Sequence, residues 1–276
     1  MTSLQRIQLD MLKECMRICD ELRLTCFLVC GSALGAVKYG GFIPWDDDLD
    51  IAMRREEYEI FIHKASAMLP SHLFLQNYHT DPCFPRIYSK LRNSNTTYVE
   101  KGVAKLPIHH GVYIDIFPLD GYPDNKSAQL VLEKKKSCYK RQLGCALQME
   151  RGWKSWLLCR WNRVLGYHKR IAQVASKYDS MISSIPTMNS VLLCNHGNWQ
   201  GKMEYASREQ YGEGTWAIFE GLKVRVPERY DEYLTQKYGD WRAELPPERQ
   251  VGHHYYEIMD LTKPYTEYIP HKNSLT

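Results

Sequence analysis

No stretch of this chain approaches the roughly 18 uninterrupted apolar residues that a membrane-crossing helix needs. The opening MTSLQRIQLDMLKECMRICDEL carries its charges too closely for a secretory leader. The protein is therefore expected in the cytoplasm, free or peripheral at the inner face of the cell membrane, and the glycosylation sequons at Asn95 and Asn125 carry no weight. G-x-x-x-x-G-K-[ST], H-E-x-x-H and C-x-x-C are all missing, which argues against P-loop kinases, zincins and thioredoxin-like chemistry. Internal repeats and low-complexity linkers are missing too. The cysteines number nine, an odd count in a chain long enough not to need staples, and read as reduced thiols. Cys15 and Cys19, at helical spacing, suit core packing or, alternatively, a metal.

What is present is an ordinary globular composition: 276 residues, 44% hydrophobic, 25% charged. A chain of this length buries roughly 70–75% of its unfolded surface, so disorder is not expected. The net charge of +4 conceals a partition. Residues 126–177 hold thirteen Lys and Arg against Glu133 and Glu150, which leaves the rest of the chain net acidic.

Apolar spacing predicts an amphipathic helix over 4–24, then a short strand in TCFLVCGS stopping at Gly31-Ser32, then a brief helix in ALGAVKYGG. Alternation predicts a strand in DDDLDIAM, and REEYEIFIHKASAML reads as a helix ending before Pro70. Strands are expected over 73–78, 85–91, in TTYVE and in GVYIDIFPLDGYP. Residues 125–184 read as helical and basic. TWAIFE-GLKVRV reads as a hairpin, followed by a helix over 227–238 and a loop at Pro246 and Pro247. The fold class is α+β: a mixed sheet flanked by helices, with a catalytic core over 1–124, a basic helical insertion over 125–185, and a C-terminal part over 186–276 completing the core.

The most informative stretch is Trp45-Asp46-Asp47-Asp48-Leu49-Asp50-Ile51. On an extended strand Asp48 and Asp50, with Asp46 if the strand begins that early, project to one side. Carboxylates held together repel unless a cation neutralises them, and hard oxygen donors suit Mg²⁺ or Mn²⁺. A solvated acidic turn is the alternative. Asp115 favours the metal, because it stands among Tyr113, Ile114, Ile116 and Phe117 in a strand too apolar to be exposed on both sides. Upstream, Gly31-Ser32 ends a strand and opens a helix, where backbone amides can face a phosphate. Most such pairs are only turns.

This order resembles the nucleotidyltransferase superfamily, and more closely its LicD-type phosphotransferases, the group of phosphocholine transferases of bacterial surface polymers and the fukutin-related ribitol-phosphate transferases. The residues carrying the likeness are GSALGAVK from Gly31, GFIPWDDDLDI from Gly41, Lys90-Leu91-Arg92 with Thr96, and YIDIFPLDG from Tyr113. Tyr238-Gly239-Asp240, Leu245-Pro246-Pro247-Glu248 and His253 add to it. The resemblance implies that Asp48, Asp50 and Asp115 hold one or two divalent ions bridging the diphosphate of CDP-choline or another CDP-alcohol. A phospho-alcohol, phosphocholine first, would pass to a hydroxyl of a cell-surface glycan or teichoic-acid precursor, lipid-linked, with release of CMP. Gly31, Ser32, Lys38, Lys90 and Arg92 would face phosphate, although a surface ion pair is open for each of these cations. Trp45, Asp46, Asp47, Tyr113, Asp120 and His253 would surround the substrate, Trp45 and Tyr113 by stacking on a base or a choline headgroup, although core packing is open for both aromatics and a structural role for His253. Two other readings stay open: transfer of a nucleoside monophosphate from a triphosphate, and a non-catalytic binding protein of the same fold.

In the basic segment, Trp153, Trp156, Leu157, Trp161, Val164 and Leu165 share one helical face, with Lys154, Asn162 and Arg163 largely opposite. Such a helix packs on the body or lies at an anionic membrane. Nucleic acid is not an expected partner, since the tryptophans form one stripe and no nucleic-acid motif is present.

Overall fold

A computed structural model of the protein describes residues 1–146, 157, 160–161, 164–166, 169–197, 204–252 and 255–269. Helix α1 (Ser3–Leu22) opens with a capping box between Thr2 and Gln5 and buries Leu9, Met11, Leu12, Cys15, Ile18 and Cys19. Arg23, in the left-handed conformation, closes it. The chain continues through β1 (Phe27–Leu28), α2 (Cys30–Tyr39), β2 (Asp50–Arg54), α3 (Arg55–Lys64), β3 (Leu73–Gln76), β4 (Ser89–Asn93), β5 (Thr97–Glu100) and β6 (Val112–Tyr122). Then come α4 (Lys126–Gly144), α5 (Ile171–Ser183), β7 (Leu192–Cys194), β8 (Tyr205–Ser207) and α6 (Arg208–Tyr211). The chain closes with β9 (Thr215–Phe219), β10 (Leu222–Val226), α7 (Tyr230–Tyr238) and β11 (Tyr256–Asp260).

The fold is α+β. Seven strands run in the order β3-β4-β6-β2-β1-β10-β9, with β7 paired to β6 and β8 to β7, while β11 and β5 form a separate pair. The pairs β2–β6 and β1–β10 are parallel and the remaining ladders antiparallel. The expected hairpin is β9–β10, and its second strand joins the sheet beside β1. β6 is buried along its whole length, because α1 and α3 pack against it and β4 and β2 flank it. That double coverage explains why its sequence is nearly continuously apolar. Asp115 and Asp120 are the exceptions.

The two ends of the basic segment do pack on the body. Leu132, Leu143, Ile171, Val174, Ala175, Tyr178 and Ile182 of α4 and α5 form a second core with Tyr78, Ile87 and Tyr122. A buried ionic knot ties this layer to the sheet. Arg55 at the start of α3 donates to both Asp120 oxygens at 2.6 and 2.8 Å, to Asp179 of α5 at 2.9 Å and to Glu59 at 2.9 Å. Tyr78 completes it by donating to the other oxygen of Asp179. Asp120, expected beside the substrate, is instead wholly inside this knot. The eight described cysteines, Cys15 and Cys19 among them, are free thiols; Cys159 lies outside the described residues.

His196 sits between these layers, its Nε2 3.1 Å from the Gly121 carbonyl, and burial together with Lys136 pushes its pKa down to about 3. The unfolded chain takes up a proton near pH 6.5 and the folded protein does not. The neutral ring's contribution is complete above 6.5 and is lost as pH falls toward about 3, by up to about 1.4 kcal/mol per pH unit. Urea unfolding at pH 7 and pH 5 should show this loss in the wild type and a smaller one in His196→Gln.

Candidate active site

Residues on either side of the β1–α2 junction are locked onto the acidic strand. The Val29 amide donates to the Asp50 carbonyl at 3.1 Å, and the Asp50 amide donates to the Ser32 hydroxyl at 2.8 Å. Cys30 adopts the left-handed φ of 52° here, a conformation that costs a non-glycine residue energy and is held by a Tyr233 hydroxyl on its amide. The pair Gly31-Ser32, expected as a turn, forms the first turn of α2. Ser32 is buried and serves the strand rather than an open loop. Gly31 is needed for space: a Cβ there would lie 2.7 Å from Asp46 Oδ2. Gly31→Ala should therefore displace that carboxylate and weaken Mn²⁺ binding about tenfold in titration calorimetry, with little change in folding.

The acidic run is not one extended strand. β2 begins only at Asp50, since β1 offers partners to Ile51 and Ala52 alone. Asp46 to Asp48 approach it as an irregular loop after a turn closed by the Asp46 amide on the Ile43 carbonyl. This brings all three carboxylates together, with one oxygen of each within 4.8 Å of the others. Two glutamines on the buried face of α1 hold the loop's backbone. Gln5 donates to the Asp46 and Ile43 carbonyls, and Gln8 to those of Asp47 and Tyr113. Polar residues three apart on an otherwise apolar helix face are the signal that could have found them.

On the parallel pair β2–β6, Asp50 stands directly opposite Asp115. Both are buried. Burial, then the charges of Asp48, Asp115 and Asp46, raise the Asp50 pKa well above the usual carboxylate range. Burial also raises Asp115, against the opposing effect of Lys90. A group of close, buried oxygen donors that disfavour one another's ionisation is a set that a hard divalent cation fits.

These carboxylates open onto a cleft of about 730 Å³. Asp46, Asp48, Asp50 and Asp115 line one part of it, with Gly31 and Cys30. Tyr39, Trp45, Tyr88, Phe117, Tyr238 and Trp241 supply aromatic walls, and Asp240 and Arg249 come from the segment after α7. Lys38 lines the cleft, its ammonium engaged by the Ala243 carbonyl at 2.8 Å and Glu244 at 3.1 Å.

The expected site residues thus divide. Gly31, Lys38, Trp45, Asp46, Asp48, Asp50 and Asp115 meet at the cleft. Asp47 joins the carboxylate cluster from behind, its side chain against Gly252. Lys90, Arg92 and Tyr113 lie beneath it, nearly inaccessible, with the Lys90 ammonium 3.3 Å and the Arg92 guanidinium 4.6 Å from the Tyr113 ring centroid. Neither Arg92 nor Tyr113 lines the cleft, because both are enclosed by β4, β6 and the Glu100 end of β5. His253 lies outside the described residues. Tyr88, Phe117 and Arg249 are cleft residues that sequence reasoning missed.

A mixed sheet bearing carboxylates on adjacent parallel strands, beside a helix whose first turn holds Gly31-Ser32, is the arrangement that the nucleotidyltransferase resemblance leads one to expect. Residues 23–143 match the family model of the LicD/FKTN/FKRP nucleotidyltransferase domain. The chain is also 29% identical over 273 residues to the lipopolysaccharide cholinephosphotransferase LicD of Haemophilus influenzae, covering 92% of this chain and 95% of that protein. Both likenesses are to LicD-type proteins.

Proposed function

We propose that this protein is a metal-dependent transferase that moves phosphocholine from CDP-choline to a hydroxyl of a lipopolysaccharide or related surface glycan, releasing CMP. The observation that carries this reading is the convergence of Asp46, Asp48, Asp50 and Asp115 on one cleft, in a chain similar along nearly its whole length to a lipopolysaccharide cholinephosphotransferase. Asp46, Asp48 and Asp50 would hold a divalent ion, Mg²⁺ or Mn²⁺, which supplies charge neutralisation at the donor's diphosphate. The acceptor oxygen bonds to the phosphorus that carries choline, the bond from that phosphorus to CMP breaks in line, and the hydroxyl proton goes to a carboxylate of the cluster. The amino end of α2 directs its dipole toward the same charge, and exposed Arg249 stands at the wall to meet phosphate. Incubation with CDP-choline, Mg²⁺ and a glycan acceptor, followed by ³¹P NMR, tests the reading through the appearance of CMP.

The acceptor is taken to be lipid-linked, met at the inner membrane face. Among the described residues no helix is long and apolar enough to cross a membrane. Leu157, Trp161, Val164 and Leu165 nevertheless stand exposed beside exposed Arg160, Lys169 and Arg170. Trp153 and Trp156 lie outside the described residues. Tryptophan and aliphatic side chains among cations suit the boundary of an anionic leaflet. Co-sedimentation should show binding to anionic vesicles and little to neutral ones; equal binding to both, or none, contradicts the electrostatic attachment.

A further inference from the structure

Strands β4 and β6 are antiparallel, with Lys90 opposite Asp115 and Arg92 opposite Tyr113, so these four side chains leave the sheet on one face. The Lys90 ammonium lies 3.0 Å from Asp115 and 3.2 Å from Glu100 of β5. Arg92 takes the other Glu100 oxygen at 2.7 Å, and its remaining donors reach Gln76 and the Gly111 carbonyl, each at 2.8 Å. Lys90 and Arg92 side chains are 4% and 0% exposed. Two cations and two carboxylates therefore close a neutral, nearly dry set. Asp115 thus already has a cation beside it.

A second divalent ion at Asp115 would have to bind its oxygens at about 2.0–2.6 Å, next to an ammonium already 3.0 Å from that carboxylate. Lys90 cannot easily withdraw. Glu100 holds it from the side, the Tyr113 ring packs against it, and leaving would strand Asp115 as a buried anion. Asp46, Asp47 and Asp48, by contrast, already gather with one oxygen of each within 4.8 Å of the others.

We propose that Lys90 is the fixed positive charge that stands in place of a second metal ion at Asp115, so that the cleft takes a single divalent ion, on the Asp46, Asp48 and Asp50 side. This rests on the metal-dependent reading above. Arg92 acts as a positioning residue, holding Glu100 so that Glu100 holds Lys90.

The test counts Mn²⁺ on the intact protein by titration calorimetry and by electron paramagnetic resonance, with no substrate present. The wild type should bind about one Mn²⁺ per chain and give the six-line spectrum of an isolated ion. Lys90→Met, checked for folding by its thermal melt, should expose Asp115 and bind about two, with the spectrum broadened by coupling. Two coupled ions in the wild type overturn the proposal even if the variant fails to fold, and so does a folded Lys90→Met that still binds only one. No Mn²⁺ binding to the wild type removes the metal-dependent reading along with it.

Discussion

Asp50→Asn should lower turnover about a thousandfold, equivalent to about 4 kcal/mol of transition-state stabilisation, while leaving the protein folded. The activity loss follows from removing a buried oxygen donor that lines the cleft with Asp46, Asp48 and Asp115. The stability expectation has the opposite sign. Asp50 has a raised pKa because burial and the charges of Asp48, Asp115 and Asp46 oppose its ionisation. The folded state therefore binds its proton more tightly than the unfolded state does. That contribution to stability is complete at acid pH and is lost as pH rises through the folded pKa. At neutral pH without metal, an uncharged asparagine removes this repulsion, so the variant's melting temperature should equal or exceed that of the wild type. Mg²⁺ should raise the melting temperature of the wild type and not of the variant. No turnover by either the wild type or the variant would instead support a binding protein that only retains the fold.

Asp120→Ala should show the reverse pattern: a loss of about 3–5 kcal/mol in folding stability with turnover per folded molecule nearly unchanged. Asp120 is fully buried and accepts two hydrogen bonds from Arg55, itself 4% exposed. Removing the carboxylate leaves a buried guanidinium with Asp179 and Glu59 only. Because Asp179 belongs to α5, the break also loosens the layer that α4 and α5 form against Tyr78 and Tyr122. Arg55→Met combined with Asp120→Leu and Asp179→Asn should recover part of the loss, since neutral groups of similar size do not leave a charge unpaired. Urea unfolding of the wild type, Asp120→Ala and the combined variant measures these differences.

The contrast between Asp50 and Asp120 shows where sequence reasoning succeeds. Both are aspartates in apolar strands, and strand alternation places both in a sheet. What separates them is the partner, which lies 65 residues away for Asp120 and across a parallel ladder for Asp50. Local pattern carries α1, the β9–β10 hairpin, β6 and the approach to β2, because apolar periodicity and turn chemistry are themselves local. It does not carry the exact start of β2, which depends on how short β1 is and on a Ser32 hydroxyl taking the Asp50 amide. Lys90 and Arg92 show the same limit. A cation near a run of carboxylates reads as a phosphate ligand, yet Glu100, on the neighbouring β5, draws both inward. Gln5 and Gln8 are legible only once the helix face that carries them is known to be buried. Gly31 is legible as part of a turn whose amides can face a phosphate, but not as the space that the Asp46 carboxylate needs.

The account stands most directly on the identity of the group transferred. The measurement is ³¹P NMR of the protein with CDP-choline, Mg²⁺ and lipopolysaccharide lacking phosphocholine. The account predicts that CMP appears in step with a new phosphodiester on the glycan, and that neither forms with Asp50→Asn. CDP-choline left intact, while a nucleoside triphosphate releases pyrophosphate, would contradict it.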